Sequence, residues 1–350
     1  MTDQFLPQQD ELAEIINRHA LILYDQLKIL EIDKLGLPQY CLNYFKSSHY
    51  SRLFFSLETS ASLLYHSIQL KNKPVTDITI MDYGAGVGTL YMLAKMIGCK
   101  KVIYNDFLQD WQTSAGKIAE ALQIQIDEYI LGDIDDTVKT LWKKNISCDI
   151  IISRNVIEHI YKLDKFYATL YAAQPNALVY SSTTANYYNP GTHIQHIRWH
   201  RKWEKVYRKQ RMELIREHVT GIDKSDLMLL AAATRGLAGN DLLEAIDTFK
   251  DTKLLPDPNQ HYTNTCTPDN GIWVEHLLTF RQYRKLIDEQ KYAITFLPGF
   301  WDTHYRKNWM NKFSKLLNTI SDKLSGKAQF IVAPFIYVIA EPKKREKITR

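Results

Sequence analysis

The sequence predicts an α/β fold built on a mostly parallel sheet, with a helical extension before the sheet and a helical insertion within it. Three observations carry this. From about Ile78 onward, short apolar runs alternate with amphipathic stretches, the pattern of βαβ units in a sheet covered on both faces. The residues before that point follow helical spacing. After Ser182 the alternation lapses and later resumes.

At 350 residues and 45% apolar composition, the chain can bury a sizeable core without metals or disulfides. Charged residues make up 24% and aromatics 12%, which excludes a disordered or low-complexity chain. No apolar run approaches the roughly 18 residues of a membrane span. The start Met1-Thr2-Asp3-Gln4 lacks the basic and apolar segments of a signal peptide. Cys41, Cys99, Cys148 and Cys266 are far apart, with no C-x-x-C pair, against a zinc ribbon or a disulfide framework. A reducing cytoplasm fits that usage. The net charge of +5 permits an anionic partner without requiring one.

In order, Glu11 to Leu30 and Ser56 to Leu70 read as helices, with Pro38 between them. Strand candidates follow at Ile78–Asp82, Lys101–Asn105, Tyr129–Leu131, Asp149–Ser153 and Ala177–Ser181, with helical stretches between them. A long basic helix spans about Thr192 to Val219, and a second helical region, interrupted by Gly236 and Gly239, spans Lys224 to Phe249. A Pro/Asn/Thr-rich loop from Leu255 to Gly271 comes next. Then come a helix from Trp273 to Glu289, a strand at Tyr292–Leu297, a helix near Arg306 to Leu324 and a strand at Phe330–Ala340. The domain reading is a helical cap over 1–72, the first part of the core over 73–183, a helical insertion over 184–271, the final strands of the core over 272–342, and a charged, frayed tail over 343–350.

The most informative stretch is Asp82-Tyr83-Gly84-Ala85-Gly86-Val87-Gly88-Thr89, between a strand and a helix. Alternate glycines let the chain turn sharply and let a ligand approach the backbone. A dinucleotide fingerprint needs Gly or Ala where Thr89 stands, and no Lys-Ser/Thr pair follows to make a P-loop. Asp106 lies eighteen residues past Gly88, close to the roughly 20 expected of an acid that holds a ribose. Asp106 also reads as an ordinary strand-end residue, and Asp133 as part of an acidic turn with Asp135 and Asp136.

Asp82-x-Gly84-x-Gly86-x-Gly88 resembles motif I of the class I S-adenosylmethionine-dependent methyltransferases. Cys148 to Ser153 followed by Asn155-Val156-Ile157-Glu158-His159-Ile160 resembles motif IV and the helix after it. The resemblance covers roughly Thr76 to Ser182 and the last two strands. It implies a Rossmann-like, seven-stranded sheet whose last strand is antiparallel and inserted between the fifth and sixth. It implies S-adenosyl-L-methionine as cofactor, with Asp82, Gly84, Gly86, Gly88, Asp106, Asp133 and Ser153 at its site; Asp106 would hold the ribose hydroxyls and Asp133 the adenine amine. In some relatives the Glu-His pair after motif IV helps hold a metal or the acceptor. Those relatives carry a further acid where this chain has Asn155, so no metal is expected.

Methyl transfer mainly needs alignment, and an oxygen acceptor also needs a base. His159 stands at the C-terminal strand edge, where open α/β sheets bind ligands. With Glu158 it is the first candidate; a helix-start device is the other reading of the pair. Glu275-His276 opens the helix after the insertion, either lining an acceptor pocket or closing a capped surface loop that begins near Thr263. His193, His196 and His200 share a helical face and border the acceptor pocket or cap the insertion. Eight basic residues between Arg198 and Arg216 flank Trp199, Trp203 and Tyr207. The aromatic face packs on the domain, or the helix receives an anionic nucleotide-sugar, phosphorylated lipid carrier or RNA. Together these readings predict a methyltransferase acting on a small or medium acceptor, a hydroxyl of a glycan or secondary-metabolite intermediate. An RNA methyltransferase or a non-catalytic cofactor-binding protein is the alternative.

Overall fold

A computed structural model describes residues 4–257 and 264–343. The chain start Met1-Thr2-Asp3, the middle of the Pro/Asn/Thr-rich loop including Thr263, and most of the tail fall outside the described residues. Seven strands form one sheet: β1 (Thr79–Tyr83), β2 (Lys101–Asp106), β3 (Glu128–Leu131), β4 (Ile150–Arg154), β5 (Leu178–Thr183), β6 (Tyr292–Pro298) and β7 (Ile336–Pro342). Their order is β3-β2-β1-β4-β5-β7-β6. β1 to β5 pair in parallel, and β7 runs antiparallel to both β5 and β6. The expected Rossmann-like sheet, with its antiparallel last strand between the fifth and sixth, is what the chain forms.

Before the sheet lie α1 (Glu11–Ile29), α2 (Gln39–Tyr44) and α3 (Leu53–Lys71). β1 to β4 are followed by α4 (Leu90–Met96), α5 (Gln109–Ala121), α6 (Ile134–Lys143) and α7 (Leu163–Ala173). The insertion after β5 holds α8 (Pro190–His218), α9 (Lys224–Ala233) and α10 (Gly239–Thr252). α11 (Phe280–Ile287) leads into β6, and α12 (Asn308–Lys323) and α13 (Ala328–Val332) connect β6 to β7. Among the described residues no helix is long and apolar enough to cross a membrane.

Successive strand residues serve opposite cores. Ile80, Ile150, Ile152, Tyr180 and Ile339 join one core with α1, α3, α4 and α5. Met81, Ile151, Val179, Val338 and Ala340 join the other, with Leu163, Phe166 and Tyr167 of α7 and Tyr283 of α11. Burial on both faces is why the strands read as continuous apolar runs. α3 is buried almost all round, so the N-terminal helices form a wall of the main core.

Three sequence expectations change. The helix expected over Trp273–Glu289 starts only at Phe280, because Thr279 and Gln282 form a capping box. The stretch before it is extended, with a bridge between Cys266 and Trp273 and the Asn264 side chain accepting from the Leu277 N–H at 3.1 Å. Glu275 and His276 therefore precede the helix. The strand expected from Phe330 begins at Ile336, since 328–332 is helical and Pro334 biases its predecessor toward extended backbone. On α8 the buried residues are His196, His200, Arg211 and Ile215, whereas Trp199 and Trp203 are exposed. The aromatic face is thus not the packed one.

The end of α8 joins α9 and α10 in a separate small core around Ile215, Leu230, Ile246 and Phe249. Beside it the guanidinium of Arg211, fully buried, pairs with Glu204 and donates from Nε to the Ala231 carbonyl at 3.1 Å. Glu204 also accepts from the Thr265 hydroxyl at 2.6 Å, linking α8 to the segment that returns from the insertion. Removing one partner of a buried pair strands the other charge. Glu204→Ala is expected to lower the unfolding free energy by about 3 kcal/mol, measured by urea denaturation. The exposed Glu213→Ala control on the same helix should stay within about 0.5 kcal/mol of the parent.

Candidate active site

The glycine loop leaves β1 at the C-terminal edge of the sheet. Gly84 and Gly86 adopt left-handed backbone, with φ of +67° and +54°, which glycine tolerates best. A Cβ on Gly84 would meet the Val156 side chain at 2.7 Å, whereas Gly86 has open space around it. The Gly88 N–H donates to the Ala85 carbonyl at 3.0 Å and closes the turn. Buried Asp82 accepts from the Tyr91 N–H at 3.1 Å, so it fixes the start of α4. Burial pushes its carboxyl up to about 7, against the pull of Arg154.

Asp106 ends β2 beneath the loop. Its Oδ2 accepts from the Gly86 N–H at 2.9 Å and its Oδ1 from the Leu108 N–H at 3.0 Å. Each carboxylate oxygen keeps a further lone pair. Burial raises the Asp106 pKa, opposed by these backbone donors. β2 and β3 pair Asp106 with Leu131, and Phe107 and Leu131 are exposed there. Asp133, one turn on, caps α6 by accepting from the Asp135 and Asp136 N–H groups. Ser153 is buried and donates to the Ser181 hydroxyl at 2.8 Å, so it braces β4 against β5.

A cavity of about 160 Å³ opens at the ends of β4 and β5, lined by Arg52, Ser56, Thr59, Arg154, Ser182 and Thr184 among others. Arg154 donates to the Ser56 carbonyl at 2.7 Å and the Thr59 hydroxyl at 2.9 Å. Beside it, burial and the guanidinium push the His49 imidazole down to about 3. Arg52 reaches the cavity from the other side, paired with Asp302 at 2.8 Å. The sequence reading missed these arginines. The signal for Arg154 was present, since it directly follows Ser153 at the strand edge.

The two Glu-His pairs meet. The Trp273 N–H donates to the His159 carbonyl at 3.3 Å, and the His276 N–H to the Glu158 carbonyl at 2.9 Å. His159 Nδ1 lies 2.8 Å from the Trp273 carbonyl. A carbonyl only accepts, so Nδ1 carries a proton, and Nε2 is the nitrogen that bears the lone pair whenever the ring is neutral. Glu158 is 1% exposed; its Oε1 accepts from the Thr184 N–H at 3.3 Å, and its Oε2 has no hydrogen-bond partner among the described residues. The Thr184 hydroxyl also lies 3.4 Å from Glu275. Burial and the Glu158 charge push Glu275 up to about 9, and burial raises Glu158 as well. One donor atom each from Glu158, His159 and Glu275 lie within 4.8 Å of one another, a group able to hold a metal ion. The His276 ring stacks on Trp273, centroids 4.1 Å apart.

His200 anchors this junction from α8. Its Nε2 donates to the Glu275 carbonyl at 2.6 Å, and its Nδ1 accepts from the Thr265 N–H at 2.9 Å. Burial holds it down to about 4, as it does His196. His193 instead sits near the start of α8, bonded to the Tyr187 carbonyl at 2.8 Å. A histidine held neutral in the fold takes up its proton on unfolding, so its stability contribution is present above pH 6.5 and falls away as pH drops toward 4. His200→Gln is expected to reduce the protons taken up on unfolding near pH 5 by about one, read from the pH dependence of the unfolding free energy.

No protein-family model and no curated protein matches the sequence. Among solved structures, an S-adenosylmethionine-dependent methyltransferase from Mesorhizobium loti is similar at 13% identity, over 80% of this chain and 97% of its own, with a TM-score of 0.38. A candidate methyltransferase of the same kind from Listeria monocytogenes aligns at 13% identity over 81% and 100%, with a TM-score of 0.40. A Pyrococcus horikoshii protein aligns at 13% identity over 86% and 99%, with a TM-score of 0.41. The chain spans less than two thirds of some other matched structures, 62% of one and 60% of another. In strand order, strand direction and the placing of its glycine loop, the chain has the Rossmann-like fold that the class I S-adenosylmethionine-dependent methyltransferases share.

Proposed function

We propose that the chain transfers a methyl group from S-adenosylmethionine to a hydroxyl oxygen of a small or medium acceptor, of the glycan or secondary-metabolite kind. The reading rests on one juxtaposition. A glycine loop pinned to a strand-end carboxylate and a histidine whose Nδ1 is held by a backbone carbonyl share the same sheet edge. The residues fit the cofactor: Gly86 leaves open space at the loop, Asp106 keeps lone pairs for a ribose diol, and Phe107 and Leu131 offer apolar surface beside Asp133 for an adenine. When bound, S-adenosylmethionine supplies a methyl group already activated by a sulfonium. Asp82 and Ser153 position the loop and the strand end. Arg154 gives the cavity a fixed positive charge suited to a carboxylate.

In this reading His159 takes the acceptor's proton at Nε2, while its Nδ1–H stays on the Trp273 carbonyl. Glu158 and Glu275 retain a proton between them at neutral pH, since burial and mutual repulsion oppose a doubly charged pair. His276 stands behind His159 as the second base. A second reading is favoured by the partnerless Oε2 of Glu158: a divalent cation held by Glu158, His159 and Glu275 would acidify the acceptor oxygen in place of the base.

Asp106→Ala is expected to weaken cofactor affinity by about 2 kcal/mol, roughly thirtyfold, measured by calorimetry on the folded variant. His159→Ala is expected to lower turnover by about 10²–10⁴-fold with cofactor affinity within about twofold. A rate close to the parent's removes His159 from the mechanism. Turnover that survives chelation supports the base, and turnover restored only by added Mn²⁺ supports the cation.

A further inference from the structure

α12 is turned inside out. Its inward face is polar: Ser314 and Ser321 are buried, and two asparagines clamp the preceding loop. Asn311 accepts from the Tyr305 N–H at 2.7 Å and donates to the Tyr305 carbonyl at 2.9 Å. Asn318 does the same with Trp301, at 2.7 and 3.0 Å. The outward face is apolar. Trp309, Phe313, Leu316 and Ile320 are 65%, 54%, 54% and 38% exposed, and at about 100° per residue they fall within roughly 60° of arc. A surface helix normally buries that stripe. The asparagine clamps prevent this one from rolling it inward.

The surroundings are basic. Arg306, Lys307, Lys312, Lys315, Lys323 and Lys327 are all exposed, and within the segment 306–327 Asp322 is the single acid. Among the described residues none of these six forms an ion pair. An apolar stripe led by a tryptophan and bordered by lysines matches a negatively charged lipid surface, in which a helix can lie flat. A second copy of the chain would bring the same basic row against itself across a twofold axis. Asn311 also lines a groove shared with Arg52, and Arg52 walls the cavity described above.

We propose that the exposed face of α12 docks the protein onto an anionic phospholipid surface. This is independent of the methyl-transfer reading, because α12 contributes nothing to the glycine loop or the Glu-His junction. The test is cosedimentation of the full chain with lipid vesicles, with calorimetric cofactor binding as a control for folding. Vesicles with about 30% phosphatidylserine at low salt should retain the protein at least about tenfold better than phosphatidylcholine alone. Phe313→Ser and the pair Lys312→Glu with Lys315→Glu change exposed side chains, and each should reduce retention about tenfold with melting temperature unchanged. Absent retention, or equal retention on neutral vesicles, overturns the proposal. A concentration-dependent dimer that Phe313→Ser abolishes also overturns it, by giving the face to a second copy.

Discussion

Two backbone hydrogen bonds, from Trp273 to His159 and from His276 to Glu158, tie the end of the helical insertion to the loop after β4. Most of the candidate site depends on them. They set two Glu-His pairs, more than a hundred residues apart in sequence, side by side. The arrangement brings two carboxyls together, which by itself would drive the segments apart. What holds them is a set of hydrogen bonds around the pair: Thr184 between the acids, the His159 ring on the Trp273 carbonyl, and His200 on the Glu275 carbonyl. Each of these uses a histidine ring or a threonine as a hydrogen-bonding strut.

The cavity next to this junction is electrically lopsided. Arg154 and Arg52 reach it from different sides, and Thr184, which contacts both acids, lines it as well. Fixed positive charge beside neutral hydroxyls in a small space orients a dipolar guest before any reaction. Arg154 can play that part because α3 supplies oxygen acceptors from Ser56 and Thr59. The N-terminal helices therefore shape the candidate site as well as the core: they hold a cation at the sheet edge without neutralising it.

The sheet was legible because its signals are local. β1 to β5 begin and end within a residue or two of their apolar runs, as burial on both faces requires, and the glycine loop announced itself by spacing alone. The junction was not legible. Trp273, Leu277 and Leu278 continue a pattern that suits a helix, but Asn264 and Thr265 bind this segment in extended form from a distance. On α8, periodicity grouped Trp199 with Trp203 and grouped the histidines too, but it could not say which group faces inward. The buried His200 and Arg211 found partners in Thr265, Glu275, Glu204 and Ala231, all on other turns or elements. α12 shows the same limit: its period is plain in sequence, and the inversion of its faces depends on the loop it clamps.

The position of β7 has a consequence for how the molecule is assembled. β5 finds one of its two sheet neighbours only across the pairing of Val179 with Ala340, so that edge lies open while the intervening segments are made. Closing so long a loop is entropically slow compared with forming the local βαβ units. Phe335, which lines the cavity, arrives with this late strand. During synthesis the parallel part of the sheet can thus gather its helices while the pocket lacks a wall, and an unpaired strand edge of this kind is what invites association with other nascent chains.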